Sequence, residues 1–481
     1  MGAPPIDPPR VVVVADGGTG RPGPGSGPPD LSGSRRVHVI GAGGAGMSGL
    51  ATVLAAMGHR VTGSDARPSD ALDRLGSLGV VVAAGHHLEL VADADFVTAS
   101  PAVPPGDPEL AEARRRGVPV RARAEVLAAV AAMRRCAAVA GTHGKTTTAS
   151  MLASVLDDAG FRPSFLVGAD VGDLGTNARW DTGEWLVVEA DESYGTFVSL
   201  RPELGVLTNV EPDHLDHYGT VGALRAAFAR YLEASTAALV GADDPVASAL
   251  GREVGALTVG SRPGATYRIT GVALDGAVGA FDLSGPEGPL GRLSVGMPGR
   301  HNVANAALAV AAALRIGVAF DDARAALARF RGVSRRMERR GEAGGVTFVD
   351  DYAHLPGEVR AALAAARTGG WDRVVAVFQP HRYTRTAASA DELGRSFGDA
   401  DVVVVTDVYG AGDPPVPGVT GQLVADAVTA NDPGKSVVYA ATRDELRAVL
   451  VARLRPGALC CTLGAGDLTT LPDELLAAPA W

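Results

Sequence analysis

One ten-residue stretch decides the fold of the middle of this chain: Val139-Ala140-Gly141-Thr142-His143-Gly144-Lys145-Thr146-Thr147-Thr148. Residues 136–140 are apolar and predict a buried strand. Leu152, Val155 and Leu156 recur at helical spacing and predict a helix that ends near Gly160. A strand, a glycine turn followed by Lys and Thr, and a helix are typical of a phosphate-binding loop. In such a loop the backbone N–H groups surround a polyphosphate and the lysine reaches its terminal phosphates.

Lysine is rare in this protein. Lysines and arginines number 44 together, and only Lys145 and Lys435 are lysines. A lysine placed directly after a glycine turn therefore indicates a chemical requirement. The longer form of the phosphate-loop pattern has a glycine where this chain has Val139. A glycine turn with a chance lysine is the alternative, but the flanking strand and helix favour the phosphate loop.

Length, charge and cysteine content limit the class of protein to which this chain can belong. At ~150 residues per domain, 481 residues predict about three domains. The formal net charge of −10 argues against nucleic acid or an anionic membrane as the main partner. The longest apolar run, residues 303–314, is too short to cross a bilayer, and we expect no secretory signal. The expected protein is cytoplasmic, without membrane insertion, and its three cysteines are buried thiols.

Composition divides the chain into a tail and three further units. Residues 1–34 are rich in Pro and Gly and poor in large apolar side chains, which predicts a disordered extension. Strands alternate with helices through residues 35–121, 122–332 and 333–481, a pattern typical of parallel sheets covered by helices. The expected fold is therefore α/β in three domains. They are a Rossmann-like N-terminal domain, a central P-loop ATPase-type domain with a parallel sheet, and a C-terminal Rossmann-like domain.

A glycine-rich turn opens the first of these units. Gly41, Gly43 and Gly46 follow an apolar strand at residues 37–40, and Asp65 comes about twenty residues later. This spacing is typical of a helix N-terminus that binds a diphosphate, with the acidic residue placed for a ribose or a base. A nicotinamide-dependent oxidoreductase or a purely structural turn would produce the same pattern.

Two acidic clusters follow strands of the middle unit. They are Glu189-Ala190-Asp191-Glu192-Ser193 and Asn209-Val210-Glu211-Pro212-Asp213-His214-Leu215-Asp216. Because ligands of open α/β sheets lie beyond the carboxyl ends of the strands, both clusters should face the bound polyphosphate. Mg²⁺ prefers oxygen ligands, which Glu189 and Thr146 supply, and His214 is a softer candidate. Each cluster alone would be equally consistent with a solvated loop.

The third unit carries histidines and arginines directly after its strands. They lie in Asp350-Asp351-Tyr352-Ala353-His354 and in Gln379-Pro380-His381-Arg382-Tyr383-Thr384-Arg385. A guanidinium binds a carboxylate through two parallel hydrogen bonds, so this set predicts a site for a carboxylate ligand. A P-loop switch protein without catalytic activity would leave the set unexplained.

Taken together, these stretches resemble the Mur ligase family of peptidoglycan synthesis, over residues 35–468. Two further stretches carry the resemblance, namely Gly299-Arg300-His301-Asn302 and Arg335-Arg336. The glycine-rich opening and the run at residues 379–385 are similar to the branch of the family that adds L-alanine. The resemblance implies that ATP drives the joining of L-alanine to UDP-N-acetylmuramate through an acyl phosphate, with release of ADP and phosphate.

The resemblance also implies a role for individual residues, grouped here by ligand. The UDP-sugar would be bound by Gly43, Gly44, Ala45, Gly46, Ser64 and Asp65. ATP would be bound by Gly141, Thr142, His143, Gly144, Lys145, Thr146, Thr147, His301, Asn302 and Asn305. Mg²⁺ would be held by Thr146, Glu189 and His214. L-Alanine would be bound by Tyr352, His354, Arg382 and Arg385. The catalytic residues would be Lys145, His214, Arg335, Asp351 and His354.

Three positions depart from the usual family pattern. Leu355 stands where a second histidine is usual, Tyr194 where a small or acidic residue is usual, and Met337 where phenylalanine is usual. Leu355 and Tyr194 flank residues expected to act on substrates. A related ligase that joins a different amino acid, peptide or amine, including a folate-type glutamate ligase, therefore stays open as an alternative. The sequence does not predict an oligomeric state.

Overall fold

The computed structural model describes residues 28–193 and 195–477, which form three α/β domains. Each domain has its own sheet flanked by helices, so the expected three-domain α/β fold is confirmed. Residues 1–27 of the predicted extension, and Tyr194, lie outside the described residues. Among the helices of the described ranges, none combines the length and the apolar character needed to cross a membrane.

The first domain contains a five-stranded, fully parallel sheet in the order β3-β2-β1-β4-β5. Its strands are β1 Arg36–Ile40, β2 Arg60–Asp65, β3 Val81–Ala84, β4 Phe96–Ala99 and β5 Val120–Ala122. Its helices are α1 Ala45–Ala56, α2 Asp70–Ser77, α3 Leu88–Ala92 and α4 Pro108–Arg116. Since β1 lies between β2 and β4, the glycine turn after β1 sits where the strand order reverses, the usual ligand position in open α/β sheets.

The central domain contains a ten-stranded sheet in the order β15-β14-β13-β12-β11-β10-β6-β9-β7-β8. Its strands are β6 Arg135–Ala140, β7 Ser164–Val171, β8 Thr176–Arg179, β9 Trp185–Glu189, β10 Leu204–Leu207, β11 Ala237–Gly241, β12 Leu257–Gly260, β13 Tyr267–Asp275, β14 Val278–Gly285 and β15 Gly288–Val295. Its helices are α5 Arg123–Ala131, α6 Lys145–Asp158, α7 Leu215–Tyr218, α8 Val221–Glu233, α9 Pro245–Glu253, α10 Arg300–Ile316 and α11 Phe320–Arg329, with a 3₁₀ turn at Thr196–Ser199. Because β6 pairs in parallel with both β9 and β10, the loops that follow these three strands meet at one edge.

The C-terminal domain contains a six-stranded sheet in the order β16-β17-β21-β18-β19-β20. Its strands are β16 Glu338–Ala343, β17 Val346–Asp351, β18 Arg373–Phe378, β19 Val402–Val405, β20 Ser436–Tyr439 and β21 Ala458–Leu463. Its helices are α12 Pro356–Arg367, α13 Tyr383–Gly394, α14 Gly421–Asn431, α15 Arg443–Arg453 and α16 Leu471–Ala477, with a 3₁₀ turn at Asp467–Thr470. Only the β16–β17 pairing among these strands is antiparallel.

The phosphate-loop strand β6 is buried on both faces. Its alternate residues Ala137 and Val139 belong to one hydrophobic core, and Cys136 and Ala138 belong to the core on the opposite face. A strand covered on both faces reads as a continuous apolar run, which is why the sequence pattern predicts it. The three cysteines are buried free thiols, as expected.

The N-terminal domain packs on the edge of the central sheet through α1. A Cβ on Gly49 of α1 would lie 3.1 Å from Asn177 Nδ2 and 3.3 Å from the Ala178 side chain in β8. Asn177 Nδ2 also donates a hydrogen bond to Ala45 O at 2.9 Å. Since α1 begins at the glycine turn, this contact fixes the position of that turn relative to the central domain.

The structure differs from the sequence prediction in several places, including the following three. Leu31, in the predicted disordered extension, is buried in the core shared by the first two domains. The apolar residues Val118 and Val120 predict a strand over residues 118–120, but the strand lies at Val120–Ala122, because Pro119 lacks the N–H group that a paired strand residue donates. The antiparallel strands β13, β14 and β15 were not predicted, since their glycines and exposed polar residues interrupt the apolar alternation.

Candidate active site

The phosphate loop joins β6 to α6, and its backbone requires glycine at two positions. Gly141 and Gly144 have positive φ angles of 132° and 79°. A Cβ on Gly144 would lie 2.4 Å from Asn305 Oδ1, and a Cβ on Gly141 would lie 2.0 Å from Thr208 Oγ1. Glycine alone tolerates both the backbone angle and the close approach. No side chain caps the N-terminus of α6, so its first N–H groups are available to an anion.

Lys145 is buried among acidic side chains at the start of α6. Its Nζ donates to Gly141 O at 2.6 Å and to Glu192 Oε1 at 2.9 Å. Burial alone would lower its pKa, but the charges of Glu192, Asp191 and Glu189 outweigh burial and raise the pKa. The ammonium group is therefore charged, and it offers a fixed positive charge to a polyphosphate in the loop.

Thr146 and Glu189 bring two oxygen ligands to the same place. Glu189 Oε2 accepts a hydrogen bond from Gly168 N at 2.6 Å. A Cβ on Gly168 would lie 2.5 Å from that oxygen and 3.1 Å from Thr146 Oγ1, so both oxygens converge beside β7. Oxygen ligands next to a phosphate site are what Mg²⁺ prefers, and the residues present therefore fit the metal.

His214 approaches the acidic loop after β9 from a neighbouring loop. Its backbone is left-handed, with φ 51°, and its Nε2 lies 3.3 Å from Ser193 Oγ and 3.2 Å from Asp213 Oδ2. Burial lowers the pKa of His214, which keeps the imidazole neutral and able to bind a metal ion. Asp213 also accepts from Arg385 Nη2 at 3.2 Å, which links the central and C-terminal domains.

A first cavity, of about 350 Å³, opens beside the phosphate loop. Its lining includes His143, Thr147, His301, Asn302, Asn305 and Asp351. Asn302 Nδ2 donates to Pro298 O at 2.7 Å, and Asn305 Nδ2 donates to Asn302 Oδ1 at 3.2 Å. Burial lowers the pKa of His301 to about 4, so this imidazole is neutral. The amide groups of Asn302 and Asn305 and the neutral His301 ring form a polar part of this wall that suits a nucleoside base.

A second cavity, of about 260 Å³, lies between the central and C-terminal domains. Its lining includes Lys145, Thr146, Glu189, His214, Tyr352, His354, Leu355, Arg382 and Arg385. Gly144, Arg336 and Glu358 line both cavities, which makes the cavities neighbours across the phosphate loop. A polyphosphate bound from the first cavity would therefore present its terminal phosphate to the second.

The C-terminal wall of the second cavity is formed by histidines and arginines. The ring centroids of His354 and His381 lie 5.2 Å apart, and Arg385 Nη1 lies 3.0 Å from His381 Nδ1. Burial and the neighbouring His354 and Arg385 lower the pKa of His381 to about 3, so it accepts the arginine hydrogen bond as a neutral ring. Arg382 begins α13 with a φ of 64°. Two guanidinium groups at one wall suit a carboxylate.

Arg335, expected to contact phosphates, lines neither cavity. Its Nη2 donates to Gly464 O at 2.7 Å, its Nε lies 3.3 Å from Asp350 Oδ2, and its guanidinium lies over the Tyr352 ring at 4.8 Å. These contacts hold Arg335 within the C-terminal domain. The neighbouring Arg336 lines both cavities instead.

Asp351 lies in the wall of the first cavity with its carboxylate directed to the backbone. It accepts hydrogen bonds from Met337 N and Ala353 N, each at 2.8 Å. Burial raises the pKa of Asp351 to about 6. In this arrangement Asp351 fixes the loop that carries Arg336 to the cavities.

The glycine turn of the first domain lies at the N-terminus of α1. Gly43 N donates to Asp65 Oδ2 at 2.9 Å, and a Cβ on Gly43 would lie 2.8 Å from the same oxygen. No side-chain cap occupies the N-terminus at Gly44, so the first N–H groups of α1 are available to a diphosphate. Ser64 is buried, and its hydroxyl donates to Glu109 Oε2 at 2.5 Å. The structure therefore turns the Ser64 side chain into the domain core and away from a ligand on the turn.

Three protein-family models match the chain. The Mur ligase family catalytic domain matches residues 36–135, the Mur ligase middle domain residues 139–313, and the Mur ligase glutamate ligase domain residues 335–466. These ranges contain the glycine turn, the phosphate loop and the histidine–arginine wall. The chain belongs to the Mur ligase family. The family resemblance seen in the sequence is thereby confirmed.

Relatives of this Mur ligase match nearly its whole length. The UDP-N-acetylmuramate–L-alanine ligase of Pelotomaculum thermopropionicum is 44% identical over 448 residues, covering 92% of this chain and 97% of the relative. The ligase of the same name from Gloeobacter violaceus is 46% identical over 443 residues, covering 91% and 95%. The crystal structure of UDP-N-acetylmuramate–alanine ligase from Thermotoga maritima has a TM-score of 0.80 at 28% identity, covering 92% of this chain and 98% of that one.

Sequence reasoning missed three charged residues near the ligand sites of this Mur ligase. A Cβ on Gly46 would lie 2.8 Å from Arg123 Nη2, which places that guanidinium beside the glycine turn. Arg336 was noticed only as half of an arginine pair. Glu358 is the third residue of α12, where a glutamate is typical of helix capping, so no sequence signal separates a functional role from a structural one.

Proposed function

We propose that the protein joins L-alanine to the lactyl carboxylate of UDP-N-acetylmuramate in the cytoplasm, converting ATP to ADP and phosphate. The pair of adjoining cavities carries this proposal. The first cavity would take a nucleoside beside the phosphate loop, and the arginines and histidines of the second cavity would then face the terminal phosphate. The 44% identity to an L-alanine-adding ligase over 92% of the chain supports the choice of substrates.

Each domain would hold one substrate. The uncapped N–H groups at the start of α1 bind the diphosphate of the UDP-sugar, while Asp65, which accepts from Gly43 N, lies near its ribose or base. The first cavity holds the adenosine of ATP. Arg382 and Arg385 hold the amino-acid carboxylate in the second cavity.

In the first step the lactyl carboxylate attacks the γ-phosphorus of ATP, which gives an acyl phosphate and ADP. Lys145 Nζ and the N–H groups at the start of α6 offset the charge that develops on the phosphate oxygens. Thr146 and Glu189, with His214 nearby, would hold Mg²⁺. When bound, Mg²⁺ supplies further neutralisation of the phosphate charge.

In the second step the amine of L-alanine attacks the acyl carbonyl carbon, and phosphate leaves through a tetrahedral intermediate. Arg382 and Arg385 orient the amino acid so that its amine faces the acyl phosphate. The second cavity lies between two domains, which limits the water that would hydrolyse the acyl phosphate.

Phosphate release with purified full-length protein tests this function. We expect release to require both UDP-N-acetylmuramate and an amino acid, with kcat/KM highest for L-alanine. Glycine and L-serine are the informative comparisons, because Leu355 lines the second cavity where a histidine is usual. Higher kcat/KM with glutamate, or with a preformed peptide, would assign the protein to another ligation reaction.

A further inference from the structure

Glu358 lies between the two cavities and contacts a histidine on each side. Its Oε1 lies 3.2 Å from Nδ1 of His143 in the phosphate loop. Its Oε2 lies 3.2 Å from Nδ1 of His354 in the second cavity. The side chain is only 12% exposed, so these contacts are made out of bulk water. One carboxylate thus joins the phosphate loop of the central domain to the amino-acid side of the C-terminal domain.

The Glu358 carboxylate is ionised. Burial opposes ionisation, but the hydrogen bond and charge of His143, together with the charge of Arg336, outweigh burial and hold the pKa of Glu358 well below its usual value. A buried anion between two imidazoles controls which ring nitrogens carry protons.

The surroundings of His354 fix its tautomer. Its Nδ1 lies 3.1 Å from Tyr352 O and 3.2 Å from Glu358 Oε2. Both neighbours are acceptors, so Nδ1 carries the proton and Nε2 carries the lone pair. Nε2 makes no hydrogen bond within the described ranges, and the ring lines the second cavity. Burial lowers the pKa of His354, so the ring is neutral before a substrate enters.

We propose that Glu358 is a positioning residue for amide formation, which holds His354 so that Nε2 receives the proton of the amino acid's ammonium group. This proposal rests on the proposed function, because it concerns the amine that attacks the acyl phosphate. His354 is the catalytic residue, and Glu358 acts through it.

The ammonium group of a free amino acid has no lone pair and cannot attack. One proton passes from its nitrogen to His354 Nε2, and the freed lone pair forms the C–N bond to the acyl carbon. The C–O bond to phosphate breaks with its electron pair on the phosphate, which carries away the remaining extra proton of the nitrogen. The Glu358 carboxylate offsets the charge of the imidazolium formed at His354.

Other charged or titratable groups also face His354. They are Arg385 on α13, Asp213 after β10, His381 after β18, and the adjacent Tyr352. Asp213 is paired with Arg385 at 3.2 Å, so these two charges largely offset each other. Glu358 is therefore the carboxylate that controls the ring.

Helix capping is the competing explanation for Glu358. Its Oε2 accepts from His354 N at 3.0 Å and from Leu355 N at 3.2 Å, as a capping glutamate does. Glutamine keeps an oxygen for these backbone groups and loses the charge, so Glu358→Gln separates the two roles. Glu445→Gln is the matched control. Glu445 is the third residue of α15 and accepts from Thr442 N at 3.1 Å, with no histidine partner in the described chain.

The test compares two nucleophiles in the full-length protein. L-Alanine must lose a proton before it attacks, whereas hydroxylamine is largely unprotonated near neutral pH and traps the acyl phosphate as a hydroxamate. We expect Glu358→Gln to lower kcat with L-alanine about 100-fold, while the KM for L-alanine changes less than about threefold and hydroxamate formation falls far less than kcat with L-alanine. The acid limb of the kcat–pH profile should move to lower pH, because the imidazolium loses its counter-charge.

Two further variants complete the experiment. His354→Gln should show the same contrast between L-alanine and hydroxylamine, and the double variant with Glu358→Gln should lose little more than either single variant. Glu445→Gln should match the wild type in every assay. The proposal is wrong if Glu358→Gln keeps its kcat with L-alanine, if its acid limb does not move, or if hydroxamate formation falls equally. A wild-type protein inactive with L-alanine would instead refute the proposed function.

Discussion

Lys145 and Glu192 form a buried ion pair in the phosphate loop. Their side chains are 13% and 2% exposed, and Nζ lies 2.9 Å from the carboxylate. A bound polyphosphate would share the same ammonium group, so binding redistributes the charge of a pair that already exists. We therefore expect a single substitution of this lysine to affect both stability and catalysis.

Replacing Lys145 alone, and then together with Glu192, should separate the effect on stability from the effect on catalysis. Lys145→Ala should abolish ligation and lower the free energy of unfolding by ~3–5 kcal/mol, because Glu192 is left buried without its partner. Adding Glu192→Gln should recover most of the stability and none of the turnover. Thermal unfolding and phosphate release measure the two effects. A double variant with near-normal turnover would contradict the assignment of Lys145 to the phosphates.

The arginines of the second cavity should act on the amino acid. Arg382→Ala should raise the KM for L-alanine by about tenfold to 100-fold and leave the KM for ATP nearly unchanged, because it removes a charged hydrogen-bond donor to the carboxylate. Arg385→Ala should add a loss of domain closure, since Arg385 also pairs with Asp213. Steady-state kinetics with each substrate varied in turn measures the KM for L-alanine and the KM for ATP in both variants. A loss of ATP affinity alone would place these arginines at the nucleotide.

Two glycines with nearly the same φ angle flank helix α6, one before it and one after it. Gly144 before the helix has a φ of 79°, and Gly160 after it has a φ of 80°. A Cβ on Gly144 would collide with Asn305, whereas a Cβ on Gly160 would meet nothing within 4 Å. The two positions share a backbone conformation and differ in their surroundings.

Alanine at each position should therefore give different results. Gly160→Ala should cost about 1 kcal/mol of stability through backbone strain and leave kinetics unchanged. Gly144→Ala should also displace Asn305 and raise the KM for ATP by at least about tenfold. Melting curves of both variants measure the loss of stability, and ATP titrations measure the change in the KM for ATP. Equal effects would mean that strain alone, and not the contact with Asn305, matters in the loop.

Elements that are locally encoded were predictable from the sequence. The strand β6, the glycine turn and α6 are consecutive, and burial of β6 on both faces gives a continuous apolar run. Roles that arise between domains were not predictable in this way. Glu358 is a capping residue by its local sequence, and its contact with His143 exists only because α12 packs beside the phosphate loop. The sequence singles out Arg335, whereas Arg336 lines the cavities, because the pair pattern does not say which of the two side chains faces them.

At the scale of the whole molecule, three of the contacts that hold the C-terminal domain against the central domain involve charged side chains of the candidate site. They are His143–Glu358, Asp213–Arg385 and Thr146–Arg336. All three lie at the edge of the second cavity or the phosphate loop. Closure of the domains is therefore coupled to the charge state of groups within the site.

Stability should fall as pH rises because of His143. Burial would lower its pKa, but Glu211 and Glu358 outweigh burial and raise the pKa from 6.5 to about 9. The stabilisation is complete below pH 6.5 and is lost as pH rises through about 9, a change on the order of 3 kcal/mol. Thermal midpoints measured across this window should decline in the wild type and change less in His143→Gln. Parallel curves for the two proteins would refute this assignment.

Truncation at the N-terminus gives a further prediction. Removal of residues 1–27 should leave turnover unchanged, because no assigned site residue lies there. Removal of residues 1–34 should destabilise the protein by about 1.5–3 kcal/mol, because it deletes the buried Leu31. Leu31→Ala in the full chain should reproduce most of that loss in a melting experiment. Equal stability of the two truncated proteins would show that Leu31 contributes little.

The border between the two cavities has a consequence for inhibitor design. Gly144, Arg336 and Glu358 face both cavities, so a compound bound in one cavity can extend along these residues into the other. A purine-like fragment linked to a carboxylate-bearing fragment would make the second contact intramolecular, at an effective concentration in the mM range for a short flexible linker. Phosphate loops occur in many proteins, so the selectivity of such a compound would come from the arm that reaches Arg382 and Arg385.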